Sequence, residues 1–143
     1  MKRFLSMLCA LLASLGITAC DYFGPPQQEW HNDDGSVTWE YSRQPEGAEC
    51  YMITIGTDSI LREIDQRINE QTFARIERGM TGDDVRRLLG RPASSQFFQL
   101  KQHTVWEWLM ERSTTVNEAA YFTVSFNNEG RVVETGRYSK PKR

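Results

Sequence analysis

A strand pattern that occurs twice constrains the fold of this chain more than any other feature of its sequence. Val37–Tyr41 resembles Thr104–Trp108, and Tyr51–Ile55 resembles Phe122–Phe126, at offsets of 67 and 71 residues. Each segment alternates aromatic or β-branched residues with polar ones and is followed by turn-forming residues, which is typical of strands and hairpins. The difference between the offsets falls in polar loops, where insertions are tolerated. The sequence therefore predicts an internal repeat of strands.

Signals for two short helices lie between the two sets of strands. Asn69–Arg78 places Phe73 and Ile76 on one helical face and ends at Gly79, which suits a left-handed position after a helix. Thr81 is the predicted N-cap of a second helix, because two acidic residues follow it in the first turn. The apolar stripe and the end of this second helix are predicted at Val85, Leu88, Leu89, Gly90 and Pro92.

Two short helices joined by a tight turn need a sheet on which to bury their apolar faces. The predicted fold class is therefore α+β, with two short helices packed on one face of an antiparallel sheet. A full unit of helices and strands begins near residue 66, and a partial extra copy of the strands lies upstream of it. The later strands are expected at Phe97–Lys101, Thr104–Met110, Tyr121–Phe126 and Arg131–Arg137.

The N-terminal segment has the pattern of an export signal. Lys2 and Arg3 precede an apolar stretch that ends at Leu15, and small residues lead up to Cys20. This stretch is shorter than the roughly 20 apolar residues that a membrane-spanning helix needs. Ile17–Cys20 resembles a bacterial lipobox, in which the cysteine thiol carries a diacylglyceryl group, so Cys20 is the predicted lipid attachment site. A plain signal peptide that happens to precede a cysteine is the alternative.

Charge and cysteine content exclude further classes of protein. The chain has 17 basic and 19 acidic residues, and the signal segment accounts for two of the basic ones. A mildly acidic domain has no long-range attraction for phosphates, so we do not expect nucleic-acid binding. Apart from Cys9 and Cys20, only Cys50 remains, and it is expected to be a small buried thiol without a histidine to activate it.

The sequence lacks the patterns of an active site or a metal site. Its histidines, His31 and His103, fall in the tether and in a turn, where neither belongs to a catalytic triad. The chain contains no HExxH motif, no CxxC pair and no Gly-rich phosphate loop. Asp33–Gly35 is an acidic turn that is not followed by further calcium ligands. We therefore expect a non-enzymatic protein that has no cofactor and acts by binding.

An aromatic set is the first candidate for that binding. Trp39 lies in the upstream copy and Trp106 and Trp108 in the downstream one, at alternate strand positions that point to one face of a sheet. If the helices cover this face, the tryptophans form the core. If the face is free, they form the kind of aromatic surface that anchors protein interfaces.

A basic set is the second candidate. Arg86, Arg87 and Arg91 lie at and just beyond the end of the second helix, and Arg75 and Arg78 lie in the first. Cations near a helix C-terminus interact favourably with the helix dipole, so these residues are explained in part as solvated charges. Alternatively, they bind an acidic partner or anionic lipid headgroups.

The helical segment and the strands that follow it also carry a family resemblance. The matching residues, in order, are Gly79-Met80-Thr81, Val85, Leu89-Gly90-Arg91-Pro92, Trp106-Glu107-Trp108, Val124-Ser125-Phe126 and Gly130-Arg131-Val132. This series resembles the signature of the SmpA/OmlA (BamE) family. Its members are small periplasmic lipoproteins, and the founding member is an accessory subunit of the machine that inserts β-barrels into the outer membrane.

The resemblance implies both a fold and a role. The family fold is two helices against a short antiparallel sheet, similar to one repeat of the β-lactamase-inhibitor-protein (BLIP) fold. The sequence patterns predict a signal peptide at 1–19, a lipidated cysteine and tether at 20–33, a domain at 34–138 with a partial repeat (34–65) and a full repeat (66–138), and a basic tail at 139–143. The implied role is that of a lipid-anchored scaffold in outer-membrane protein assembly or envelope integrity. Its implied partners are envelope proteins, the β-barrel assembly machinery among them, and a bilayer with anionic lipid.

Two departures from the family pattern leave alternatives open. The upstream copy, Val37–Ile64, is extra and can cover the surface that the founding subunit uses. In that case the protein is an inhibitor-like or sensor module that binds another envelope protein through its sheet face. Asp21, directly after the lipid cysteine, resembles an inner-membrane retention signal of some bacteria. The expected location is the periplasmic face of the outer membrane, with the inner membrane as the alternative.

Overall fold

The computed structural model describes residues 24–113 and 117–142. The predictions for the signal peptide, for Cys20 and Asp21, and for Arg143 of the basic tail lie outside these residues. The described chain contains two short helices and two four-stranded antiparallel sheets, so the α+β class is confirmed. It divides into two compact units: residues up to Tyr41 with Met52–Asp65, and Ser42–Tyr51 with the residues from Gln66 onward.

The first sheet consists of β1 (Gln28–His31), β2 (Val37–Ser42), β3 (Cys50–Ile55) and β4 (Leu61–Gln66), which are neighbours in that order. Strand β1 lies inside the segment that the sequence assigns to the tether, residues 20–33. It pairs with β2 from Gln28 opposite Glu40 to His31 opposite Val37. The end of the segment predicted as a tether therefore forms a strand, and the first sheet has four strands.

The second sheet consists of β5 (Ser94–Phe98), β6 (His103–Arg112), β7 (Glu118–Phe126) and β8 (Val132–Pro141), again neighbours in sequence order. Strand β5 lies three residues earlier than predicted, because Gln99–Gln102 forms the turn to β6. The Gln102 backbone N–H and side-chain amide both donate to the Gln99 carbonyl, at 3.3 and 2.8 Å. Leu100, which the sequence assigns to the strand, lies at the tip of this turn instead.

The first helix, α1 (Glu70–Phe73), is shorter than the predicted Asn69–Arg78. Asn69 is its N-cap, and the Asn69 side-chain oxygen accepts a hydrogen bond from the Thr72 backbone N–H at 2.9 Å. After Phe73 the chain is drawn onto the sheet, because the Gly79 N–H donates to the Val132 carbonyl at 2.9 Å. The left-handed Gly79 (φ +88°) is therefore confirmed, but it belongs to this turn and not to a helix cap.

The second helix, α2 (Gly82–Leu89), agrees with the prediction at both ends. Thr81 caps it through a reciprocal pair of hydrogen bonds with Asp84: the Asp84 N–H donates to the Thr81 hydroxyl at 3.1 Å, and the Thr81 N–H donates to the Asp84 carboxylate at 2.9 Å. Gly90, with φ +75°, ends the helix. Val85 and Leu89 are fully buried.

Both helices lie on one face of the second sheet, as predicted. The Phe73 ring of α1 stacks on the Phe122 ring of β7, with 4.1 Å between the ring centroids. At the end of α2, the buried Trp108 indole N–H donates to the Gly90 carbonyl at 3.2 Å. Trp108 and Phe122 lie directly opposite each other in the sheet, so one pair of cross-strand neighbours supports both helices.

The repeat extends to the geometry of one hairpin. Between β3 and β4, the Gly56 N–H donates to the Ile60 carbonyl and the Ser59 N–H to the Gly56 carbonyl. Seventy-one residues later, between β7 and β8, the Asn127 and Gly130 N–H groups make the same two bonds. Ser59 and Gly130 both have positive φ, at 63° and 72°. The two sheets therefore share their strand order and this turn.

Candidate interaction surfaces

The turn before α2 is held against the second sheet by backbone hydrogen bonds. The Val132 N–H donates to the Met80 carbonyl at 2.9 Å, and Thr81 forms an isolated antiparallel bridge with Arg131. The Arg131 guanidinium also donates to the Gly79 carbonyl at 3.0 Å. These contacts fix the start of α2 and thereby the positions of the arginines along it.

The basic set divides by exposure. Arg87 and Arg91 are exposed, as are Arg75 and Arg78, whereas Arg86 is half-buried. At least one arginine of the Arg86–Arg87 pair therefore faces solvent, as the spacing along the helix predicts. We call the two exposed arginines at and just beyond the end of the second helix, Arg87 and Arg91, the basic end of α2.

The electrostatic environment of α2 is set by its cap. Hydrogen bonds from the Thr81 backbone and side chain, together with the charges of Arg131 and Arg87, hold the pKa of Asp84 below its ordinary value. The carboxylate is therefore charged at neutral pH and favours the positive end of the helix dipole. Arg87 lies close enough to Asp84 to contribute to this effect, so its positive charge interacts with a carboxylate of its own helix.

The aromatic set lies mainly in the interior. Trp108 is fully buried and Trp39 is 4% exposed, so for these two residues the core alternative holds. Trp106 is half-buried, and its ring lies 4.6 Å from that of Phe126 and 6.2 Å from that of Trp108. Neither Trp39 nor Trp108 offers a surface to a partner in this structure, and the assignment of an aromatic docking face to them is not supported.

The β5–β6 hairpin carries the largest exposed apolar group of the second unit, and sequence reasoning missed it. Phe97 and Phe98 are about half exposed, and Leu100 at the tip is fully exposed. The signal was present in the sequence, because two adjacent phenylalanines in a strand point to opposite faces and cannot both enter one core. We call Phe97, Phe98 and Leu100 the apolar hairpin tip.

The face of the second sheet that carries no helix holds a polar cluster that the sequence did not predict. Glu107 of β6 accepts hydrogen bonds from the Tyr138 hydroxyl and, at 3.2 Å, from the Lys140 ammonium. Lys140 lies 4.2 Å from the centre of the Tyr121 ring, which stacks on Tyr138. One sequence signal for this cluster was available: Glu107 lies between Trp106 and Trp108 in the strand, so its side chain points to the opposite face of the sheet.

The groups of this cluster shift one another's pKa values. Burial raises the pKa of Glu107, but hydrogen bonds from Tyr138, Ser94 and Lys140 and the Lys140 charge outweigh burial and hold that pKa below its ordinary value. Burial and the hydrogen bond to Glu107 raise the pKa of Tyr138. A tyrosine with a raised pKa stays protonated at neutral pH, so it serves here as a hydrogen-bond donor and not as a base.

A side chain also closes part of the second sheet's edge. Beyond Ser94, strand β5 no longer accompanies β6, and the backbone of Leu109 is paired instead with the buried amide of Gln44. The Gln44 Nε2 donates to the Leu109 carbonyl at 2.8 Å, and the Leu109 N–H donates to Gln44 Oε1 at 2.9 Å. Both residues belong to the second compact unit. The amide thus replaces a neighbouring strand at this position.

The remaining candidates have modest structural roles. Cys50 is a fully buried cysteine, as the sequence predicts. His31 is exposed and lies 3.1 Å from the Glu29 carboxylate. Residues 24–113 and 117–142 hold no group of three or more His, Cys, Asp or Glu side chains able to bind a metal ion. In this same part of the chain, neither helix has the length and apolar character needed to cross a membrane.

Comparison with known proteins identifies the family. Residues 66–136 match the model of the outer membrane protein assembly factor BamE domain. This range begins at the end of β4, contains α1 and α2, and ends within β8. The comparisons with curated proteins and with solved structures found no match. The matched range contains the whole G-M-T to G-R-V series, both helices and the strands beneath them, and the chain therefore belongs to the BamE (SmpA/OmlA) family.

Proposed function

We propose that this protein is a lipid-anchored, non-enzymatic subunit at the periplasmic face of the outer membrane that supports the assembly of β-barrel proteins. The single observation that carries the proposal is the BamE domain at residues 66–136. The domain implies a role in outer-membrane protein assembly, and proteins of this family are periplasmic lipoproteins of that membrane. Acyl chains at Cys20 would hold the domain to the bilayer, since two or more chains anchor stably.

The basic end of α2 is the docking site that we propose for this role. Arg87 and Arg91 are exposed, and α2 is fixed by its cap and by the buried Val85 and Leu89. A rigid helix that ends in exposed arginines suits an acidic protein surface or anionic headgroups, because guanidinium groups form paired hydrogen bonds with carboxylates and phosphates. Arg86, which is half-buried, is expected to contribute less.

We propose that the downstream unit is a BLIP-like repeat and that the upstream sheet is a partial copy of it, with the strands but without the helices. The shared strand order and the matching β3–β4 and β7–β8 turns support this proposal. The alternative function, an inhibitor-like or sensor module that binds through a tryptophan-lined sheet face, loses its main support because Trp39 and Trp108 are buried. Assembly of β-barrels is therefore the function that we favour.

Co-purification tests the proposed function. The wild-type chain and the double variant Arg87→Glu/Arg91→Glu would be recovered from detergent-solubilised envelopes, and their bound proteins identified by mass spectrometry. We expect the wild type to recover subunits of the β-barrel assembly machinery and the variant to recover less, with a larger difference at low ionic strength where charges are least screened.

A matched control separates docking from a general effect of charge. The pair Arg43→Glu/Arg62→Glu makes the same change of charge at exposed positions outside residues 66–136, so it should bind as the wild type does. Circular dichroism confirms that each variant is folded. Recovery of one unrelated envelope protein, with no assembly subunits, would support the alternative function instead. Equal recovery by the folded Arg87→Glu/Arg91→Glu variant would exclude the basic end of α2 as the docking site.

A further inference from the structure

Strand β5 differs from the other edge strands of the described chain. The two sheets have four edges, formed by β1, β4, β5 and β8. An edge strand exposes unpaired backbone groups that other chains can pair with, so proteins protect edges with charged residues and proline. The other three edges carry such residues: Glu29 in β1; Arg62, Glu63 and Asp65 in β4; Glu134, Arg137, Lys140 and Pro141 in β8. Strand β5, with the sequence Ser-Ser-Gln-Phe-Phe, carries none.

The unprotected edge is also fully accessible. All five residues of β5 are exposed, and the apolar hairpin tip follows directly from them. From Ala93 to Trp106 the chain contains no acidic residue, and Lys101 is its only lysine or arginine. The chain has 19 acidic residues, and none of them falls in this stretch. An incoming segment would therefore meet neither charge repulsion nor the cost of removing water from a buried charge.

The adjoining edge of the same sheet is closed. Past the first residue of β5, Ser94, the Gln44 amide occupies the backbone N–H and carbonyl of Leu109 in β6, and Arg112 donates to the Pro45 carbonyl at 3.1 Å. Strand β6 therefore offers no free backbone at Leu109. On this side of the second sheet, the edge that a further strand can pair with is therefore Ser94–Phe98.

We propose that the free edge of β5 binds an extended strand of an unfolded β-barrel protein by adding it to the second sheet. This inference rests on the proposed function and names its substrate class. An edge strand such as β5 directs part of its backbone N–H and carbonyl groups away from the sheet. Another extended backbone can form hydrogen bonds with these groups, in the way that peptides add to sheet edges in other proteins. Strands of outer-membrane barrels suit the edge because they are about ten residues long and alternate apolar with polar residues.

The two phenylalanines provide the side-chain part of this recognition. Phe97 lies opposite Thr104 and Phe98 opposite His103, so the two rings point to opposite faces of the sheet. An added strand therefore meets one aromatic ring on each face, and its apolar residues can pack on either ring as cross-strand neighbours. Such a site accepts many strand sequences, which a protein that serves many different barrels requires.

Peptide binding to the purified full chain tests the inference. The probe is a fluorescent ten-residue peptide that alternates valine or tyrosine with serine or threonine. The control peptide has the same side chains but is N-methylated at every residue, which removes the backbone donors of both edges. We expect the control peptide to bind about tenfold or more weakly, because strand addition depends on those hydrogen bonds. We also expect hydrogen exchange of the amides of residues 94–98 to slow when the unmodified peptide is added.

Matched variants locate the site. Phe97→Lys/Phe98→Lys places charges on the edge and should abolish peptide binding, whereas Phe97→Leu/Phe98→Leu keeps it apolar and should retain most of it. Thr135→Lys, on the charged edge β8, should have no effect. Equal binding of the two peptides, protection at another edge, or unchanged binding by the lysine pair would overturn the inference. Concentration-dependent protection of β5 without peptide would also overturn it, because a second copy of the chain would then occupy the edge.

This test and the co-purification test can fail separately. A protein that recovers the assembly subunits but ignores the peptide retains its proposed function and lacks the strand site. A protein that binds the peptide at β5 but recovers none of those subunits has the site and a different function.

Discussion

Gly82 and Trp106 lie so close together that a Cβ atom at Gly82 would press against the indole ring. A Cβ atom at Gly82, the first residue of α2, would lie 3.0 Å from Cη2 of the Trp106 indole, which is inside ordinary van der Waals contact. The indole cannot retreat freely, since the Phe126 ring lies 4.6 Å away on the sheet. The close approach therefore favours glycine at this position, and the Trp106 ring packs beneath the start of α2.

Replacement of this glycine should destabilise the domain despite a gain in helix propensity. For Gly82→Val we expect a loss of about 1–3 kcal/mol in the free energy of unfolding, the usual cost of overpacking. Urea titration followed by circular dichroism measures it. In a Trp106→Leu background, where the indole is absent, the same substitution should cost clearly less. An equal cost in both backgrounds would show that the contact is not responsible.

Gly79 offers the complementary case, in which space is open and only the backbone angle matters. A Cβ at Gly79 would meet nothing within 4 Å, but φ is +88°. Gly79→Val should therefore cost about 1–3 kcal/mol through backbone strain, and Gly79→Asn distinctly less, because asparagine tolerates positive φ. The two unfolding midpoints in urea make the comparison. If valine and asparagine proved equally costly, strain at this angle would not be the cause.

These two glycines illustrate how far the sequence predicts this fold. The α2 boundaries follow from signals within a few residues of each end, the Thr81 cap and the Gly90 stop, and both were predicted. The length of α1 was not predicted, because the chain leaves the helix where Gly79 forms a hydrogen bond with Val132, more than 50 residues away. Strand β1 was missed for a similar reason: its short polar sequence gains its structure from pairing with β2.

The candidate sites show the same limit. The arginines were identified by their spacing along α2, and that spacing alone placed at least one of them in solvent. Periodicity could align Trp106 and Trp108 but could not decide whether the helices cover them, since that depends on which sheet face the helices choose. The Glu107–Tyr138–Lys140 cluster was missed because it joins strands that are about 30 residues apart in the chain.

Removal of the Gln44 side-chain N–H donor should destabilise the domain. Gln44→Glu keeps the shape of the side chain but places a carboxylate oxygen against the Leu109 carbonyl in a buried site. We expect a loss of about 2–3 kcal/mol near pH 7, the cost of a buried group left without its partner. Burial raises the pKa of such a glutamate, so the folded variant binds a proton more readily than the unfolded one. Part of the lost stability should therefore return as the pH falls toward about 5.

Urea titrations at both pH values measure this effect, and Gln99→Glu is its control. Gln99 is exposed in the β5–β6 turn, where its backbone carbonyl accepts hydrogen bonds, so this variant should be almost neutral. A Gln44→Glu variant as stable as the wild type near pH 7 would contradict the role assigned to the amide.

The Glu107 cluster should contribute stability that depends on pH. Hydrogen bonds from Tyr138, Ser94 and Lys140 lower the pKa of Glu107 below its ordinary value, so its contribution to stability is present above the pKa of the unfolded chain and is lost as the pH falls through the folded-state pKa. Tyr138→Phe removes one donor and should cost about 1 kcal/mol near pH 7. The difference between wild type and variant should shrink as the pH falls through the folded-state pKa of Glu107, because the carboxylate then becomes protonated in both. A difference that stays constant with pH would assign the effect to packing against Tyr121.

The lipid anchor provides the last prediction. Cys20→Ser should abolish attachment to the membrane, because a hydroxyl group cannot form the thioether that carries the diacylglyceryl group. Neither helix of the described chain has the length and apolar character to replace the anchor, and a few exposed arginines hold a protein to anionic lipid only weakly and in a salt-dependent way. Intact-mass spectrometry should find no acyl mass on the variant, and fractionation at high salt should leave it soluble or uncleaved.

Cys50→Ser is the matched control, because it removes the other cysteine outside the signal segment and should leave the acyl mass unchanged. Fractionation of the wild type on a density gradient would then decide between outer and inner membrane, the choice that Asp21 raises. A Cys20→Ser protein that carries acyl chains and remains with the membrane would contradict the lipoprotein assignment.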